Sequence, residues 1–172
     1  LWIHGDGGID VINIDNGGST ANAFSSEDAA AGRLTSTQLS GLNLDGVITY
    51  GSAEFLNLLL GSGQDLFTID GTHTGTTDIA GNTGTNVDDV RIKAISGVTN
   101  LRTGGGSDLI TVGNGEDTLS GIAGVLDIDA GSEADTLTLD NSGASTEQSG
   151  NLSYTQLSGF GMSGHVSFLN LE

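Results

Sequence analysis

The chain has 172 residues, 29 of them glycine and none proline or cysteine, and carries a formal charge of −18 with only Arg33, Arg91, Lys93 and Arg102 on the basic side. That balance excludes a nucleic-acid partner, which needs a basic surface to neutralise phosphates, and an acidic membrane surface would repel the chain. Disulfides cannot form, and the longest apolar run, Phe55 to Leu60, is far too short to span a bilayer.

Apolar residues alternate with a period of two, and β-branched residues and Leu dominate, so the predicted elements are strands. The first pair runs through Ile3, the turn Gly5-Asp-Gly7-Gly8-Ile9, and then Asp10-Val-Ile12-Asn-Ile14. Around Phe24 to Ala31 a short helical turn or a loose loop is expected. Leu34-Thr-Ser-Thr37-Gln-Leu-Ser-Gly41 and Val47-Ile48-Thr-Tyr50 follow. Phe55-Leu-Asn-Leu58 then leads through Gly61-Ser-Gly63-Gln to Asp65-Leu-Phe67-Thr-Ile69. The same order of strand, glycine-rich turn, Asp and strand recurs at Asp88-Asp-Val90-Arg-Ile92, Asp108-Leu-Ile110-Thr-Val112 and Asp135-Thr-Leu137-Thr-Leu139. In all five phrases the second and fourth residues after the Asp are apolar. Ile3, Leu58, Leu101 and Ile128 each stand seven residues ahead of an Asp, and Ile79 stands nine ahead of Asp88 because the turn from Gly81 to Val87 is longer. Glycine without a collagen period belongs to such turns.

A larger repeat overlies the phrases. Asp10-Val-Ile-Asn-Ile-Asp-Asn16 answers Asp135-Thr-Leu-Thr-Leu-Asp-Asn141 at an offset of 125. Leu34 to Gly41 answers Leu152 to Gly159, and Val47, Ile48, Tyr50 and Glu54 answer His165, Val166, Phe168 and Glu172, at an offset of 118. The difference of seven is an insertion around Phe24 to Ala31. The expected organisation is therefore one large repeat over 1–125 and the start of a second over 126–172, within one continuous unit. Without an initiating Met or a signal peptide, the chain reads as an excerpt from a longer protein, with copies of about 120 residues expected on both sides.

The expected fold is all-β: a right-handed parallel β-helix or β-roll-like solenoid with about five Asp-marked coils plus irregular loops. All five phrases are expected in one parallel stack with their apolar pairs inward. Spacings of 23, 20 and 27 residues from Asp65 to Asp135 are too uneven for a rigid roll and suit variable return loops. Burial of the stacked pairs, at roughly 25 cal/mol per Å², would be the main stabilising term.

Three turns read G-x-G-x-D-x-(apolar): Gly61-Ser-Gly63-Gln-Asp65, Gly104-Gly-Gly106-Ser-Asp108 and Gly113-Asn-Gly115-Glu-Asp117. They resemble the hemolysin-type (RTX) calcium-binding nonapeptide. Glycine lets carbonyls turn inward and Asp adds hard oxygen, a set that suits Ca²⁺. The resemblance implies calcium between turns 18 residues apart, as are Asp117 and Asp135, with Gly113 and Gly115 over Gly131. It extends the implied metal set to Asp108, Gly104 and Gly106 and to Asp65, Gly61 and Gly63. The match departs at Glu133, which stands where the second Gly of that turn belongs, and at the turns before Asp10 and Asp88. As a whole the chain looks more like the tandem β-solenoid repeats of giant bacterial secreted and surface proteins. Leu56 to Ile69, Thr155 to Met162 and Ile48-Thr-Tyr50 carry that likeness.

The likeness implies an extracellular or cell-surface structural module, a fibre, stalk or adhesin arm stacked end to end with copies of itself or neighbouring repeats. A ligand-binding module for a glycan or an ice surface is the alternative, and a polysaccharide-active β-helix enzyme comes third. No catalytic signature supports an enzyme. His4, His73 and His165 lack metal spacing, and the Asp residues can instead close their own turns. Arg91, Lys93 and Arg102 would line one face. The outer Thr68, Thr111 and Thr138 form a rank broken by Asn13 and Arg91.

Overall fold

The computed structural model describes residues 1–81 and 84–172, so part of the third glycine-rich turn lies outside the described residues. Two-residue alternation yields strands throughout: there are sixteen, in two eight-stranded sheets, and no helix among the described residues. No helix is therefore long and apolar enough to cross a membrane.

β1 (Trp2–His4) lies in the first sheet and β2 (Val11–Asp15) in the second. β3 (Gly32–Leu34), β4 (Gln38–Ser40) and β5 (Ile48–Gly51) lie in the first. The strands then alternate. β6 (Phe55–Leu59), β8 (Thr76–Ala80), β10 (Val98–Arg102) and β12 (Val125–Asp129) join the second sheet. β7 (Leu66–Ile69), β9 (Asp89–Ile92), β11 (Leu109–Val112) and β13 (Thr136–Leu139) join the first. β14 (Gly150–Leu152), β15 (Gln156–Gly159) and β16 (His165–Leu169) complete the second.

Parallel pairing in register builds the core. In the first sheet Phe67, Val90, Ile110 and Leu137 stack in one row and Leu34, Ile69, Ile92, Val112 and Leu139 in another. In the second, Ile14, Leu58, Ile79, Leu101, Ile128 and Phe168 form the matching row. These rows meet in one apolar cluster between the sheets. Leu137 and Leu139 are only half-buried, since β13 is the edge strand of its sheet and no strand among the described residues pairs with its outer edge.

Two expectations need correction. The five Asp phrases do not share one stack. Those at 65, 88, 108 and 135 lie in the first sheet, but the Asp10 phrase forms β2 in the second and pairs with β6. Between Asp10 and Asp65 the chain visits the first sheet and then the second, whereas one visit to the second sheet separates the later phrases. That extra crossing changes the parity.

Nor is the pairing wholly parallel. β4 runs antiparallel to both β3 and β5, and β15 antiparallel to both β14 and β16. Three-residue turns reverse the chain: the Thr35 N–H donates to the Gln38 carbonyl at 2.8 Å, and the Ser153 N–H to the Gln156 carbonyl at 2.9 Å. The 24–31 segment is a turn-rich loop, in which the Asp28 carboxylate accepts from the N–H groups of Phe24 and Ser25 at 2.7 and 2.9 Å.

The larger repeat is structural as well as sequential. Ile3 pairs with Tyr50 as Ile128 pairs with Phe168, and Leu34 with Leu39 as Leu152 with Leu157. The unit β1–β5 thus reappears as β12–β16 with the two sheets exchanged.

Phe67 is fully buried opposite Gly32, where any Cβ would collide with its ring. We expect Phe67→Ala to destabilise the fold by about 3–5 kcal/mol, since the packed sheets cannot collapse into the void. Urea denaturation measures this, and a loss under about 1 kcal/mol would contradict a closed core.

Candidate functional site

An Asp precedes each of the later first-sheet phrases, so in-register stacking places Asp65, Asp88, Asp108 and Asp135 in a column. Each is at most 5% exposed. The Asp65 N–H donates to Asp88 Oδ1 at 2.8 Å, Asp88 N–H to Asp108 Oδ1 at 2.9 Å, and Asp108 N–H to Asp135 Oδ1 at 2.8 Å. Every link has the same direction along the stack. Asp10 repeats the arrangement in the second sheet, its N–H donating to Glu54 Oε2 at 2.7 Å. Glu172, the counterpart of Glu54, acts electrostatically on Asp135.

The second carboxyl oxygens are less well served. Oδ2 of Asp10, Asp65, Asp108 and Asp135 is buried without a hydrogen-bond partner. An uncompensated buried charge is costly, so burial favours the protonated form. It pushes Asp65 up to about 6 and Asp88 up to about 7, the latter aided by its charged neighbours Asp65 and Asp108. Asp108 and Asp135 are raised by burial too, with Asp135 and Glu133 acting on the first and Glu133 and Glu172 on the second.

The glycine turns beside the column stack closely. Gly61 and Gly63 abut the backbone at residues 19 and 21, and Gly106 abuts that at residue 86. Gly104 and Gly131 have φ of +104° and +95°, and Gly131 approaches the Gly104 carbonyl so closely that a Cβ could not fit. The Ser62 N–H donates to the Ser19 carbonyl at 2.7 Å and the Ser132 N–H to the Gly104 carbonyl at 3.0 Å.

Asp117 and Asp135, expected as a pair, are not brought together. Asp135 precedes β13, whereas the Asp117 carbonyl accepts from the Gly143 N–H, beyond the far end of β13, at 2.9 Å. Gly113 likewise neighbours Asp140 rather than Gly131, and Gly115 faces open space. The cause is local: residues 113–124 cross between the sheets as one irregular connection. Asn114 ties it by accepting from the N–H groups of Glu116 and Thr118 at 2.9 and 3.0 Å. Among the described residues, no three His, Cys, Asp or Glu side chains converge as a metal-binding group.

Other expectations sort by sheet. Arg102 lies in β10 of the second sheet, so it shares no face with Arg91 and Lys93. Asn13 is also in the second sheet; Arg91 alone interrupts the rank of Thr68, Thr111 and Thr138. His73 packs edge-on against Tyr50, with ring centres 6.2 Å apart.

One surface escaped the sequence reading. On the outer face of the second sheet, Val11, Phe55, Thr76, Val98, Val125 and His165 form one row. Asn13, Asn57, Asp78, Asn100 and Asp127 form the next. Asn57 Nδ2 donates to Asn13 Oδ1 at 2.8 Å and Asn100 Nδ2 to Asp78 Oδ1 at 2.5 Å. Rows on adjacent strands repeat every ~4.8 Å. Compared with known proteins, the chain has no significant match to a family model, a curated protein or a solved structure.

Folding raises the pKa of the column, so the stability carried by its protonated form is complete below the ordinary Asp value of 3.8 and is lost as pH rises past about 6 for Asp65 and about 7 for Asp88. Melting temperature should therefore rise as pH falls from about 8 to about 5 in metal-free buffer. Asp88→Asn should raise stability at alkaline pH by on the order of 1–2 kcal/mol and change it little in acid. Calorimetry across pH tests both; a flat profile shared by wild type and variant would show that the column carries no proton.

Proposed function

We propose that the chain is a structural module of a β-solenoid, wound as a right-handed two-sheet coil and serving as part of an extracellular or cell-surface fibre, stalk or adhesin arm. The observation that carries this reading is the return of β1–β5 as β12–β16 with the same strand pairings. A unit that repeats along its stacking axis presents equivalent faces to whatever comes next. β1, β2, β13 and β14 each have a free edge in their sheets, and such edges template further strands. In this reading a neighbouring repeat or a second copy covers them.

Calcium belongs to this proposal as a counter-charge to the acidic column. The orphaned Oδ2 atoms of Asp65, Asp108 and Asp135 are hard oxygens of the kind calcium takes. The ion and the proton compete for the same role. The pH series run with calcium and with a chelator separates them: calcium that supplies the charge raises the melting temperature most at alkaline pH, and identical melts leave only the proton.

A second reading, a ligand-binding module for a glycan or ice surface, draws on the ordered rows of the second sheet's outer face. Ice-recrystallisation and glycan-array assays test it, and inactivity in both removes it. For the leading reading, sedimentation over a range of concentrations, followed by electron microscopy, should reveal elongated end-to-end assemblies. A compact monomer at every concentration would overturn assembly by this stretch.

A further inference from the structure

Three of the chain's four basic residues, Arg33, Arg91 and Lys93, line one recess although 60 positions separate the first from the last. Register explains the gathering. Arg33 of β3 pairs with Thr68 of β7, which pairs with Arg91 of β9, and the Lys93 N–H donates to the Ile69 carbonyl at 2.8 Å. The loop ending at Ala31 overhangs this outer face and encloses about 320 Å³ with Ser26 and Leu66.

Two carboxylates outside its lining, Asp70 and Asp89, bond these cations and do not exhaust their donors. Asp70 accepts from Arg33 Nε and from Lys93 Nζ, the latter at 2.9 Å. Asp89 accepts from Arg91 Nε and Nη2 at 3.1 and 2.6 Å. Both Nη groups of Arg33, Nη1 of Arg91 and two ammonium hydrogens of Lys93 are left over. Three cations against two carboxylates leave one positive charge on a chain of net charge −18.

The large repeat shows that stacking does not require this feature. The counterpart of Arg33 is Asn151, and the second copy lacks the seven-residue insertion that builds the overhang. The recess is an addition to the first copy.

We propose that it binds one small organic monocarboxylate of monosaccharide size, a uronate-like ligand. Arginine's planar fork matches a carboxylate, and one uncompensated charge matches one anion. The volume lies at the small end of ligand pockets. Thr68 and Ser26 offer hydroxyls, and buried Leu66 supplies an apolar surface for a ring face. The overall charge repels long polyanions. This site is independent of the stacking role proposed above.

The test is an NMR titration of ¹⁵N-labelled protein at low ionic strength with D-galacturonate, with D-galactose as its neutral twin and sodium sulfate as an inorganic anion. Saturable shifts confined to amides of residues 26–33, 66–70 and 89–93 are expected with galacturonate, and binding at least about tenfold weaker with galactose and sulfate. Arg91→Gln and Lys93→Gln should each weaken galacturonate by at least about fivefold, while Thr138→Val, on the same face outside the recess, should not. If either charge variant loses the wild-type spectrum, salt takes its place as the probe, because added sodium chloride must displace galacturonate from the wild type. Shifts that fail to saturate, equal binding of galactose, sulfate as tight as galacturonate, or insensitivity to both salt and the folded variants would overturn the proposal.

Discussion

Parallel stacking in register is the constraint from which the rest of this structure follows. Most strands of four or five residues turn two side chains inward, apolar except for Thr77 of β8 and Thr99 of β10, and those side chains meet their equivalents on the strands above and below. The core is therefore a set of rows rather than a globule. A strand one residue out of register would turn its row to solvent, so register is strongly specified. What stands just outside a strand is then stacked as well. The Asp before each strand is carried into the column by the same geometry that aligns the apolar rows.

That column is a compromise. One oxygen each of Asp88, Asp108 and Asp135 accepts the backbone N–H of the preceding Asp in the column, which satisfies a donor that the turn would otherwise bury. The other oxygen gains nothing from the protein in four of the five phrases. A charged carboxylate there repels its neighbours along the stack, and burial denies it water. The net result resembles other buried polar arrays: it fixes one register and makes stability depend on whatever neutralises the charge. Half-buried acids in turns behave oppositely. Asp28 and Asp140 lie below the usual carboxylate range because turn N–H groups bond their charged form.

The antiparallel inserts do different work. β3–β5 and β14–β16 widen one sheet at a time and shift the alternation, so that the larger repeat returns with its sheets exchanged. They also give the two outer faces different characters. The second sheet presents one largely apolar row beside one of Asn and Asp side chains. The first gathers cations, because β3 delivers Arg33 beside the strand before Arg91, and the loop preceding β3 roofs them.

Much of this was legible from residues alone. The two-residue period determined an all-β chain, the recurring phrases identified the strands and inward residues from Phe67 to Val112, and the offsets of 125 and 118 marked the unit that recurs in space. These are local properties, written in alternation and spacing. Which sheet a strand joins is not local. It depends on the number of crossings since the last phrase, and that number changed where Thr35 to Thr37 formed a hairpin turn instead of a crossing. For the same reason Asp10 left the stack of the other four; Asp117 came to lie at the far end of β13 from Asp135 despite a spacing of 18 because residues 113–124 form one irregular connection between the sheets. Sequence distance measures chain length, whereas a site is made by where the chain turns. Only the tertiary structure could bring Arg33 to Arg91 and Lys93, because their meeting depends on which strands become neighbours.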